Sequence, residues 1–179
     1  MDSTTLIARV LTGDRAAFAP LVDQYQGSLF AYLGRMGFSQ AQAEELAQET
    51  FIRVWQHLGD YDPKRAQFST WLFTIAHRLA LNEWDKRHHQ YELAMGDDTP
   101  EAISSTLSPA EQLSTQQQQQ RLQQALTRLN LADRSALALA YVQGLDLKTI
   151  AELEGCSESA LKVRLHRAKQ QLRTYLELS

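Results

Sequence analysis

Six side chains that are or can become cationic crowd one stretch of this 179-residue sequence: Lys162, Arg164, His166, Arg167, Lys169 and Arg173. Interleaved with them, Leu161, Leu165, Ala168 and Leu172 recur at four, three and four residues, the period of one helix face. A helix with one apolar stripe and a cationic remainder is built to attract phosphate and to reach base edges in a DNA major groove. The residues before it complete a helix-turn-helix. Ile150 and Ala151 belong to a short first helix, Gly155 supplies the turn, and Ser157 caps the second helix. Glu158, Ser159 and Lys162 stand early on that helix, where base edges are read. Arg164, His166 and Arg167 are better placed for phosphate. Cys156 takes the small apolar position of the turn.

Two further clusters could bind rather than catalyse. Glu44, Glu45, Gln48 and Glu49, with Ile52 beside them, form an acidic helix face whose glutamates at 45 and 49 lie one turn apart. Such a face can meet arginines of a partner helix, or simply be solvated. The loop from Tyr61 to Phe68 carries Tyr61, Lys64, Arg65 and Phe68, and the helix after it carries Arg78, Asn82, Lys86 and Arg87. Cations interleaved with aromatic rings suit unstacked single-stranded bases. Trp71 reads as packing; Trp84 reads equally as a stacking platform or as packing. No enzyme is legible. His57, His77, His88, His89 and His166 lack metal-ligand spacing with acids or Cys156, and neither a phosphate loop nor a nucleophile motif occurs. No metal and no cofactor is expected.

The net charge of −3 conceals a division. Residues 1–92 hold nine Lys and Arg against eleven Asp and Glu; residues 93–113 hold four acids and no base; residues 114–179 hold nine bases and six acids. The positive charge is local, as a DNA footprint should be, and small enough to predict weak binding to free DNA without a partner protein. A single cysteine fits a reducing cytoplasm, and no apolar run reaches membrane-spanning length.

The elements that must position these residues are all helical. Leu6, Val10 and Leu11 begin a short helix stopping near Gly13. A longer one runs from Ala17 to Gly34–Gly37. Ser39 with Gln42 makes a capping box for a third, ending near Gly59, with Ala47, Phe51, Val54 and Leu58 as its core stripe and Trp55 beside it. A fourth runs from Thr70 to about His89. Residues 93–108 shift to Gly, Asp, Thr, Pro and Ser, an acidic flexible linker. Ser108-Pro109-Ala110-Glu111 starts a helix that includes the glutamine run 116–120, and Asp133 caps the next, Arg134 to Tyr141. The expected fold is all-α: two small helical domains, 1–92 and 109–179, joined by the linker.

Four stretches in order carry a family resemblance: Gly13-Asp-Arg-Ala-Ala-Phe18, Ala43 to Trp55, Phe68 to Ala76, and Leu129 to Leu172. Together they resemble the extracytoplasmic-function (ECF) sigma factors of bacterial RNA polymerase, over nearly the whole chain outside the linker. The resemblance implies a promoter-specificity subunit that is not itself an enzyme. Region 2 (1–92) would bind core RNA polymerase through the acidic helix and hold the single-stranded −10 element. Region 4 (109–179) would read the −35 element as duplex. An anti-sigma factor would regulate it in the cytoplasm, without membrane insertion. About twenty residues of stretched linker span at most about 70 Å, and readers one to two DNA turns apart lie roughly 35–70 Å from each other. The competing reading is a stand-alone helix-turn-helix repressor or activator, which would bind duplex DNA without polymerase.

Overall fold

A computed structural model describes residues 2–95 and 113–177. Among them every regular element is helical: α1 Ser3–Leu11, a 3₁₀ turn Arg15–Ala17, α2 Phe18–Arg35, α3 Gln40–His57, a 3₁₀ turn Leu58–Asp60, α4 Phe68–Met95, α5 Leu113–Thr127, α6 Leu131–Leu137 running into a π-turn Ala138–Val142, α7 Leu147–Glu154 and α8 Glu158–Glu177. The expected helix start at Ser108–Glu111 and residues 96–107 of the expected linker lie outside the described residues. The backbone of 93–95 is still helical, so α4 passes the expected boundary at residue 92.

Local chemistry explains the ends. The Ser39 hydroxyl oxygen accepts the Gln42 amide while the Gln42 carboxamide oxygen accepts the Ser39 amide, the reciprocal cap expected for α3. α6 corrects an expectation. Asn130, not Asp133, is its cap: the Asn130 carboxamide oxygen accepts the Asp133 amide at 2.8 Å, so the helix begins three residues earlier. Asp133 occupies the first turn, where its charge faces the helix dipole.

α2, α3 and α4 bury Leu29, Tyr32, Leu33, Ala47, Val54, Leu72, Phe73 and Ala76. Trp55 is not among them. Expected beside the core stripe of α3, it is 38% exposed and meets Phe18 edge-on. The C-terminal helices bury Leu139, Ile150, Leu161, Leu165 and Ala168.

The two helical units pack together. Arg134, 4% exposed, donates to the Met36 carbonyl of α2's C-terminal turn at 2.8 Å and to the Thr127 and Leu129 carbonyls at 3.2 and 3.1 Å; its guanidinium lies 5.1 Å from the Trp84 ring centre. Glycine at 37 admits this approach: its φ is +94°, and a Cβ there would stand 2.5 Å from the Arg134 guanidinium. Gln123 and Gln143 donate across the same contact to the Gly34 and Ser28 carbonyls.

Beside Arg134 lies a second buried polar group. Ser135 donates its one hydroxyl proton to Glu154 at 2.7 Å. The Tyr32 hydroxyl and the Ser135 hydroxyl oxygen lie 2.9 and 3.3 Å from His77 Nδ1, and His77 Nε2, buried without a hydrogen bond, stands 3.9 Å from Glu154. Burial, reinforced by Arg78, holds the His77 imidazole down at about 4, so the ring is neutral near pH 7. Burial pushes the Glu154 carboxyl up, opposed by the Ser135 hydrogen bond and Arg164.

Candidate nucleic-acid and protein interfaces

α3 presents the acidic face because its apolar residues are taken inward: Ala43, Leu46, Ala47, Thr50 and Val54 are buried. Glu44, Glu45, Gln48 and Ile52 are exposed, Ile52 at 44%. Glu49 is half-buried and accepts a 2.8 Å ion-paired hydrogen bond from Arg53, one turn on. The full anionic character of the face therefore rests on Glu44 and Glu45, with Glu49 partly neutralised. Glu45 and Glu49 line one wall of an open groove whose other wall is α4, with Asn82 and Lys86. The acids and part of the cationic cluster thus share a groove, which no sequence pattern indicated.

The loop before α4 is ordered by its own chemistry. Asp62 accepts the Lys64 amide at 2.9 Å and approaches Arg65 at 3.8 Å, leaving both cationic side chains exposed. Tyr61 donates its hydroxyl to the Ala66 carbonyl. Phe68, expected to offer a ring to nucleic acid, is 4% exposed, enclosed by Tyr25, Tyr61 and Trp71 at 5.3, 5.5 and 5.9 Å. Its apolar ring gains more from this cluster than from water, and it serves as a base for Tyr61 and Trp71.

Along α4, Arg78, Asn82 and Lys86 are exposed at intervals of four, an outward stripe. Arg87 lies off that stripe. It is half-buried, paired with Glu83 at 3.1 Å, and placed 5.8 Å from the Phe38 ring centre. Trp84 packs between Phe38 and Arg134, so the open choice for this ring falls to packing.

The helix-turn-helix is built as its residues suggest. Asp146 caps α7 through the Thr149 amide and hydroxyl. Gly155 takes the left-handed turn, φ +63° and ψ +35°, and the Cys156 amide closes back to the Ala151 carbonyl at 2.9 Å. Ser157 accepts the Ala160 amide at the start of α8. Glu158, Ser159, Lys162, His166 and Arg167 are exposed on α8. Arg164 is not among them. Expected at phosphate, it is turned back onto the protein, 3.4 Å from Glu154 and 4.0 Å from Asp133, and ties α8 to α7 and α6. Val163, not singled out from the sequence, is 50% exposed on the same helix.

Among the described residues no three His, Cys, Asp or Glu side chains group as metal ligands, and no helix is long and apolar enough to cross a membrane.

The Sigma-70 region 2 family matches residues 21–90, and the Sigma-70 region 4 family matches residues 119–172. The chain is 31% identical over 165 residues to the ECF RNA polymerase sigma factor RpoE of Cereibacter sphaeroides, covering 91% of this chain and 88% of that one. It is 29% identical over 177 residues to the ECF RNA polymerase sigma factor SigW of Bacillus subtilis, covering 95% and 94%. The fold matches the sigma factor RpoE of Bartonella quintana, solved with the anti-sigma factor NepR, with a TM-score of 0.73 at 23% identity over 90% of this chain and 98% of that one. These matches set aside the stand-alone repressor: the chain belongs to the ECF RNA polymerase sigma factors, with sigma-70 regions 2 and 4, and directs transcription initiation with RNA polymerase.

Proposed function

We propose that residues 1–92 dock onto core RNA polymerase through Glu44, Glu45, Gln48 and Ile52, with Glu49 as a secondary contact, and hold the non-template strand of the −10 element on Tyr61, Lys64, Arg65, Arg78, Asn82 and Lys86. Residues 109–179 read the −35 duplex with Glu158, Ser159, Lys162, His166 and Arg167, and residues 93–108 tether the two. Arg87 and Phe68 support the −10 surface from behind, and Arg164 fixes the angle of α8. The protein works in the cytoplasm, restrained by an anti-sigma factor. The observation that carries this reading is the separation of charge on exposed helix faces: acids on α3, cations on the α4 stripe and on α8.

α7 touches α4 through Glu154 and His77, and α8 packs on α7. Readers one to two DNA turns apart lie roughly 35–70 Å from each other. Region 4 leaves region 2 as both elements are taken up, opening the contacts that α7 makes with α4. Co-elution with core polymerase tests the assignment. The chain should form a stable complex that the Glu45→Lys variant, still helical by circular dichroism, fails to form. An unchanged complex would overturn the docking face.

A further inference from the structure

The inward stripe of α8, with Leu161, Leu165 and Ala168 buried and Leu172 half-buried, fixes which way the helix looks outward. At about 100° per residue, Val163 stands opposite the middle of that stripe. Ser159 lies one turn before it and Arg167 one turn after, both exposed, with His166 beside. Lys162 and Glu158 lie towards one flank; Arg164 lies towards the other, held by Glu154 and Asp133. Ser159, Ala160, Val163 and Arg167 also form the α8 wall of an open groove whose other wall is Asn130 and Asp133 at the start of α6. On the assignment of α8 to the −35 major groove, the residue forced closest to the base edges is therefore Val163.

A valine there can make no hydrogen bond. Its β-branch lowers helix propensity, and at 50% exposure it gains little from the core. What the major groove offers to an apolar side chain is the C5-methyl group of thymine. Cytosine at the same place would turn an amino donor onto two methyl groups and leave it without water or partner. The branch also holds χ1 in one rotamer, so the methyl groups are already in position before DNA arrives. We infer that Val163 is a specificity-determining residue of this sigma factor that selects a thymine in the −35 element by apolar contact with its C5-methyl group, flanked by hydrogen-bonding contacts from Ser159 and Arg167.

The inference rests on the proposed −35 role of α8, and the experiment separates the two. Holoenzyme made from the full chain and core polymerase is first tested on a promoter library; absence of any promoter-specific product would count against the −35 and −10 assignment itself. With the selected promoter, each −35 thymine is then replaced by deoxyuridine, which differs only in lacking the methyl group. At one position the replacement should lower competitive promoter binding by about fourfold, the worth of one buried methyl. The Val163→Ala holoenzyme should be indifferent to the same replacement while keeping its other −35 preferences. Alanine favours the helix, so loss of fold is not at issue. A library with no preferred −35 thymine, a wild-type holoenzyme indifferent to deoxyuridine at every −35 position, or a full deoxyuridine penalty retained by Val163→Ala would overturn the assignment.

Discussion

Lys162 and Arg164 are separated by one residue and by a change of role. Lys162 is exposed on the DNA side of α8, while Arg164 is paired to Glu154 and Asp133. Lys162→Ala should weaken −35 binding by about 1–3 kcal/mol for a lost base contact, with thermal stability unchanged; Arg164→Ala should lower the melting temperature, because Glu154 loses its cation while buried. Melting curves and promoter titrations on the same two variants check this, and a melting temperature unaffected by Arg164→Ala would contradict the brace. In sequence both bases read as DNA contacts, one at base edges and one at phosphate. Their difference comes from acids ten and thirty-one residues away in the chain, which only the packing of α6 and α7 brings near. His77 has the same kind of hidden role. Its imidazole should titrate near pH 4, followed by nitrogen chemical shifts, against about 6.5 in an unfolded chain. The sign follows: the packing it supports is fully present above pH 6.5 and loses this contribution as the pH falls towards 4, because the unfolded chain takes up the proton first. Glu154, raised by burial, works in the opposite direction. A midpoint near 6.5 in the native protein would contradict the buried Tyr32–His77–Ser135–Glu154 group.

At the scale of elements, most of what positions the interfaces was legible. The capping box of α3, the left-handed Gly155 and the Ser157 cap each depend on side chains within a few residues, so local sequence decides them. Local sequence leaves the start of α6 open by three residues because Asn130 and Asp133 are both competent caps, and the Asn130 side chain takes the Asp133 amide. The π-turn Ala138–Val142, where the Gln143 amide reaches back to the Ala138 carbonyl, has no local signature. Phe68 was misplaced for a related reason: an aromatic residue in a polar loop looks available until Tyr25 of a distant helix is seen to cover it. Asn130→Ala should cost about 1 kcal/mol in chemical denaturation, whereas Asp133→Ala should lose no cap. Equal losses from the two variants would reopen the helix boundary.

For the whole molecule, the sequence divides correctly into two helical regions, yet nothing in it indicates that the two are clasped. The clasp is made by Arg134 reaching a carbonyl at the end of α2, by Gln123 and Gln143 reaching two more, and by Trp84 beneath the guanidinium. Backbone carbonyls carry no sequence code, which is why these contacts were invisible. Spin labels at exposed Gln56 and Arg173, with Cys156 replaced by serine, should give a narrow distance distribution in the free chain and a different one in the promoter complex. The central claim is that one chain grips two separated DNA elements while held by polymerase, and run-off transcription on templates with an altered −35 to −10 spacer tests it most directly. Insertion of five base pairs, half a helical turn, should abolish the promoter-specific product, and ten should restore part of it at most; a product indifferent to the spacer would contradict dual recognition.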